Sequence, residues 1–185
     1  SIKFLALMVV IIMLASCTLH SPSMGGGNIR PEDNIPDRLT PDWAKIATFE
    51  NGSPYGFHWR NDRGNGHPFN CEFRASNISF DNDVLNLTLN KVNNSFVGAE
   101  YRSNAKFSYG YYSVSMKAAK CDGVISSFFT YTWGPWDEID IEFLGHDTTI
   151  VQFNYYTNGV GGHEYFYDLG FDASEDFHEY GFDWQ

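Results

Sequence analysis

Apolar and polar positions alternate with a period of two through most of the chain beyond residue 40. Leu85, Leu87 and Leu89 share one face of an extended segment, with Asn86 and Thr88 on the other. Tyr112, Val114 and Met116 alternate with Ser113, Ser115 and Lys117, and Val151, Phe153 and Tyr155 alternate with Gln152, Asn154 and Tyr156. Such alternation predicts half-buried strands. Gly and Asn clusters punctuate the runs, as at Asn158-Gly159 and Gly161-Gly162. Outside the N-terminal apolar run no segment keeps a 3.6-residue period, and no longer repeat is evident. The pattern predicts an all-β sandwich of antiparallel strands.

The ends of the chain read differently. Residues 2–16 hold Lys3 followed by an apolar run, too short to span a bilayer comfortably and typical of an export signal. Leu14-Ala15-Ser16-Cys17 is similar to a bacterial lipobox, in which the cysteine is lipidated after cleavage; an ordinary signal with a chance cysteine is the alternative. Either way, residues 1–17 are expected to stay outside the fold. Residues 18–40 contain Pro22, three successive glycines, Pro31 and Pro36, and read as a flexible tether. Residues 41–185 are then the folded domain. Its last stretch, Tyr180 to Gln185, alternates like a strand and meets no stop signal, so the sandwich is expected to be incomplete at its C-terminus.

Composition narrows the partners. With 23 acidic and 12 basic residues the net charge is −11, and no Lys/Arg cluster is present to meet phosphates or an anionic bilayer. Nucleic acid is therefore excluded, and the membrane is reached only through a lipid at Cys17. A hydrophobic content of 43% excludes disorder, and 17% aromatic residues suit a neutral polymer. With Cys17 assigned to lipidation, Cys71 and Cys121 remain, and two cysteines 50 positions apart do not establish a disulfide.

The densest chemistry lies in Trp136-Asp137-Glu138-Ile139-Asp140-Ile141-Glu142-Phe143-Leu144-Gly145. In a strand, Glu138, Asp140 and Glu142 project from one face and Ile139, Ile141 and Phe143 from the other. Aligned carboxylates push one another's pKa values apart, so one can hold a proton while another is ionised. Glycoside hydrolysis needs that division: one carboxylate attacks the anomeric carbon and one acid protonates the leaving oxygen. In retaining enzymes the two groups stand roughly 5–5.5 Å apart. Cα atoms at i and i+4 of a strand are about 13 Å apart, so two long glutamates must lean together over Asp140. A solvent-facing acidic strand, or a calcium or magnesium site, remains an alternative on spacing alone.

Together with Asp147-Thr148-Thr149 and Val151-Gln152-Phe153-Asn154-Tyr155-Tyr156-Thr157-Asn158-Gly159, this stretch closely resembles the bacterial lichenases, endo-β-1,3-1,4-glucanases of glycoside hydrolase family sixteen. The resemblance runs from about Phe57 to Gln185. It implies a concanavalin A-like β-jelly-roll with a substrate cleft on its concave face. It further implies Glu138 as nucleophile, Asp140 as its assistant and Glu142 as general acid/base, with retention of configuration. Cleft residues implied by the same resemblance are Asn65, Glu100, Arg102, Phe129, Tyr131, Trp136, Asn154 and Tyr156. The partner is a β-glucan and the protein a monomer. No cofactor serves catalysis, and a structural calcium is allowed in the complete domain. The expected location is outside the cell, as a bacterial surface lipoprotein or a secreted protein.

Two departures from the family pattern stand out. Lichenases usually join the Cys71 position by a disulfide to one that is Gly98 here, and the loop Thr132-Trp133-Gly134-Pro135 is shorter than usual. Two other activities compete. Laminarinase-like relatives carry E-x-D-x-x-E, one residue longer than the acid spacing here. A non-catalytic glucan-binding module would have no need of three mutually repelling acids. Asn61 to Glu72 imitates a calcium loop but lacks the early carboxylates and the flanking helices, and His163-Glu164 lacks zinc spacing.

Overall fold

In a computed structural model the described residues are 6–14, 47–53, 56–65, 69 and 71–185, with only the backbone described at 6–14, 63 and 65. The strands in chain order are β1 (Ala6–Leu14), β2 (Phe57–Trp59), β3 (Asp62–Asn65), β4 (Cys71–Phe73), β5 (Ile78–Asp81), β6 (Val84–Leu87) and β7 (Asn90–Val92). There follow β8 (Ser95–Phe107), β9 (Gly110–Met116), β10 (Val124–Thr132), β11 (Asp137–Leu144), β12 (Ile150–Tyr156), β13 (Tyr165–Asp168) and β14 (His178–Trp184). Among the described residues one 3-10 turn, Ala75–Asn77, interrupts them. The all-β expectation holds.

The main sheet runs β13-β12-β11-β10-β1-β8-β4-β3, with β2 and β7 also paired to β8. Its central ladders are antiparallel, while β4 pairs parallel with β8. Two small sheets, β14-β9 and β5-β6, complete the described strands. Alternation explains their packing. Phe128, Ile141, Phe143 and Val151 leave one face of the main sheet and meet Tyr112, Met116 and Tyr180 from β9 and β14 in one buried cluster. Ile141 and Phe143 are fully buried, which fixes the register of β11. A slip of one residue would drive the acids into this core.

The apolar run expected to stay outside the fold is placed inside it. Its backbone forms β1, antiparallel to both β8 and β10, with Val9 in register between Arg102 and Phe129. The reason lies in chemistry common to both fates. A run holding Val9, Val10, Ile11 and Ile12, free of Gly and Pro, suits a mid-sheet strand as well as an export signal. It also gives partners to backbone groups of β8 and β10 that would otherwise stand unpaired. Cys17 and the tether 18–40 lie outside the described residues.

Cys71 and Cys121 are free thiols, the first buried and the second exposed. Cys71 stands opposite Phe96, and Gly98 opposite Phe73, in the parallel β4–β8 ladder. The backbone N–H of Gly98 donates to the Cys71 sulfur, but burial dominates and raises the thiol's pKa.

Candidate active site

The site is a set of rows across three strands. Residues paired in an antiparallel ladder project to the same side, so the β10–β11–β12 registers define what flanks each acid. Glu138 lies between Tyr131 and Tyr156, Asp140 between Phe129 and Asn154, and Glu142 between Ser127 and Gln152. Five of the residues named by resemblance beside the acids, Phe129, Tyr131, Trp136, Asn154 and Tyr156, thus come to one face or its rim.

Trp136 enters at the start of the acid strand. Its indole N–H donates to Glu138 Oε2 at 2.7 Å, and its ring stacks on Tyr156 with centroids 4.5 Å apart and planes 15° from parallel. The following hairpin braces it: Gly159 N–H donates to the Trp136 carbonyl, and Asn158 N–H to Asp137 Oδ1. Asn158 and Gly159 both have positive φ, as a tight two-residue turn requires. At Gly161 a Cβ would lie 2.3 Å from the Tyr156 ring, so glycine is what lets that ring lie flat against the backbone. On the opposite side of the acid row, Thr132 Oγ1 donates to the Pro135 carbonyl at 2.8 Å and closes the short loop.

Each acid has its own setting. Glu138 is raised above its ordinary pKa by burial, against which the hydrogen bonds from Trp136 and Asp140 act. Asp140 is pushed up to about 9, first by burial and then by the charges of Glu138 and Glu142. It is therefore a neutral acid near pH 7, able to donate to Glu138. Glu142 is pushed up to about 7 by burial and by Glu138, with Gln152 acting in the opposite sense. The three groups sense one another across one face, and the described residues offer none of them a salt bridge. The arrangement can keep one carboxylate ionised beside another that carries a proton.

The remaining predicted residues lie further along the face or beyond description. Glu100 and Arg102 are on β8, separated from β10 by β1. Glu100 is buried and forms ion pairs with Arg102 and, at 2.9 Å, with Arg60 Nη1. Arg102 Nε is buried without a hydrogen-bond partner among the described residues. Phe129 packs into a second core cluster with Cys71, Phe73 and Ile125, so it is not an open ring. Asn154 is buried and hydrogen-bonds the Tyr156 side chain. Asn65 stands opposite Cys71 in β3, its side chain lying outside the described residues. Among the described residues no group of three or more His, Cys, Asp or Glu side chains is placed to hold an ion.

Two residues of the site were not singled out from sequence. Gln152 donates to Glu142 at 2.8 Å and shares its face with Asn154 and Tyr156, so the alternation alone would have located it. Arg60 is found only through the β2–β8 pairing, which brings it to a residue 40 positions away.

The chain matches known proteins. The family described as "Glycosyl hydrolases family 16" matches residues 65–185, and the chain belongs to that family. It is 55% identical over 152 residues to a beta-glucanase of Paenibacillus polymyxa, covering 77% of this chain and 61% of that protein. It is 53% identical over 143 residues to a beta-glucanase of Bacillus subtilis, covering 73% and 59%. The chain thus spans about three-fifths of the length of these curated relatives. Among solved structures, a prokaryotic beta-1,3-1,4-glucanase (lichenase) derived from a mouse hindgut metagenome matches with TM-score 0.71 and 53% identity, covering 75% of this chain and 69% of that one. The Bacillus licheniformis beta-glucanase matches with TM-score 0.70 and 49% identity, covering 75% and 68%. The fold is the family's jelly-roll.

Proposed function

We propose that the complete protein is a retaining endo-glycosidase that hydrolyses β-1,4 bonds in mixed-linkage β-1,3-1,4-glucan. The observation that carries this reading is the acid row itself: Glu138, Asp140 and Glu142 on one face, with Tyr131, Phe129 and Ser127 in register on one side and Tyr156, Asn154 and Gln152 on the other. Support comes also from the names of the relatives, beta-glucanases and a lichenase. Glu138 attacks the anomeric carbon while Glu142 delivers its proton to the leaving glycosidic oxygen. In the second half-reaction Glu142, now ionised, takes a proton from water as that water displaces Glu138. Asp140 donates to Glu138 and steadies the carboxylate that must attack and later leave. The Trp136–Tyr156 stack offers an apolar ring surface for a sugar face, and Asn154 and Arg102 suit hydroxyls.

The proposal extends to location and assembly. The protein is exported and carried on a bacterial surface by a lipid at Cys17, or secreted, and acts as a monomer. The Leu14-Ala15-Ser16-Cys17 sequence and the apolar run before it support the location, and cleavage before Cys17 would take β1 out of the mature protein's sheet.

The test is hydrolysis by the full-length protein of barley β-glucan and of laminarin, with Glu138→Gln as control. The expected result is a preference for mixed-linkage glucan and a loss of more than about 10⁴-fold in kcat for the variant, as when a nucleophile is removed. An unchanged rate in Glu138→Gln removes the nucleophile assignment, and faster hydrolysis of laminarin replaces the substrate. Tight binding of glucan without turnover would favour a binding module.

A further inference from the structure

We propose that Gln152 is a positioning residue for the acid/base: it grips one oxygen of Glu142 so that the catalytic proton is carried on the other. The inference rests on the reading of Glu142 as acid/base and names what holds that group in place.

The geometry is specific. Gln152 and Glu142 are directly paired across the β11–β12 ladder, and Gln152 Nε2 donates to Glu142 Oε2 at 2.8 Å. An amide N–H can only donate, so the oxygen it meets must present a lone pair. The proton of the neutral acid is thereby directed to Oε1, the oxygen left to meet a glycosidic oxygen. An amide suits this task where a cation would not. A cationic partner would favour the ionised carboxylate outright. Gln152 orients Glu142 and stabilises its charge only modestly.

The surroundings of Glu142 agree. From its own strand it faces Glu138 and the neutral Asp140. From the segment after β12 it faces the exposed Glu164, and from β10 the uncharged Ser127 stands in register. Burial, Glu138 and Glu164 all favour the protonated form, and Gln152 is the group that favours the ionised one. Losing its donor therefore raises the pKa of Glu142. The alkaline limb of kcat/KM then moves to higher pH, by about one pH unit for the loss of a hydrogen bond to a charged group. With its orientation loosened, kcat falls about 10-fold while KM holds.

The experiment uses the full-length protein and barley β-glucan, comparing wild type, Gln152→Met, the isosteric Gln152→Glu, and Glu142→Gln. The expected result is an alkaline limb displaced upward in Gln152→Met and at least as far in Gln152→Glu, where a second carboxylate faces Glu142. A fall in kcat without a rise in KM is expected in both. Thermal melting shows which variants fold, and Gln152→Glu carries the test if Gln152→Met does not. An alkaline limb that stays in place in a folded Gln152 variant, while Glu142→Gln abolishes hydrolysis, overturns the role of Gln152 and leaves the acid assignment standing. Wild-type hydrolysis by Glu142→Gln overturns the acid assignment itself.

Discussion

Glu100 and the acids of β11 lie in one sheet and are treated in opposite ways. Glu100 is buried between two guanidinium groups, those of Arg60 and Arg102. Asp140 is buried and Glu138 and Glu142 are half-buried, with an indole N–H, one another and an amide for company. The first arrangement places one carboxylate between two fixed cations. The second satisfies a set of protons whose positions can change. Burial alone does not make a carboxylate reactive; the polarity of its partners decides whether it titrates near neutral pH.

The contrast can be broken from either side. Removing a cation from Glu100 is expected to have the larger effect on stability, because it leaves a buried carboxylate with one partner fewer. Arg60→Met should destabilise the protein by about 2 kcal/mol, the scale of a hydrogen bond to a charged group, as read by urea unfolding. The same variant also loses the guanidinium from the face of Phe73, where it stands 5.2 Å from the ring centroid. Stability unchanged in Arg60→Met would mean that Arg102 alone suffices.

Changing Asp140 sharpens the other side and is expected to act more on pH dependence than on stability itself. Its folded pKa, about 9, lies above that of the unfolded chain. The native state therefore holds a proton that the unfolded state has lost. The stability this contributes is complete below the unfolded value and disappears as pH rises through about 9. Asn cannot titrate, so Asp140→Asn should show a flatter decline of Tm between mildly acidic and alkaline pH than wild type, with kcat about 10-fold lower through the less well-steadied Glu138. Parallel Tm profiles for the two proteins would remove Asp140 as a proton holder.

Much of this was legible in the chain, for a definable reason. Period two assigns a side, and the assignments at β9, β11 and β12 were correct because each strand has one face in the core: Tyr112 and Met116, Ile141 and Phe143, and Val151 are all buried. Period two does not assign depth. Phe129 shares its side with Tyr131, yet it is closed over by Cys71 and Phe73, which come from a strand more than 50 residues earlier. Arg60 escaped notice because its role depends on long-range pairing with β8. The apolar run at the N-terminus carries the same residues whether it serves export or a strand, so its pattern alone could not show that its backbone lies between β8 and β10. Gln152 is a different case: it lies on the face that the alternation marks, but an amide carries no chemistry until its partner, Glu142, is placed.

The central claim is that one acid on β11 is ionised while another holds the proton that hydrolysis consumes. The pH dependence of kcat/KM for barley β-glucan, measured on the full-length wild type and on Glu142→Gln, tests it most directly. A wild-type rate that falls above about 7, where Glu142 loses its proton, together with a residual rate in the variant that has no alkaline limb, is the predicted result. An alkaline limb that persists unchanged without Glu142 would contradict it.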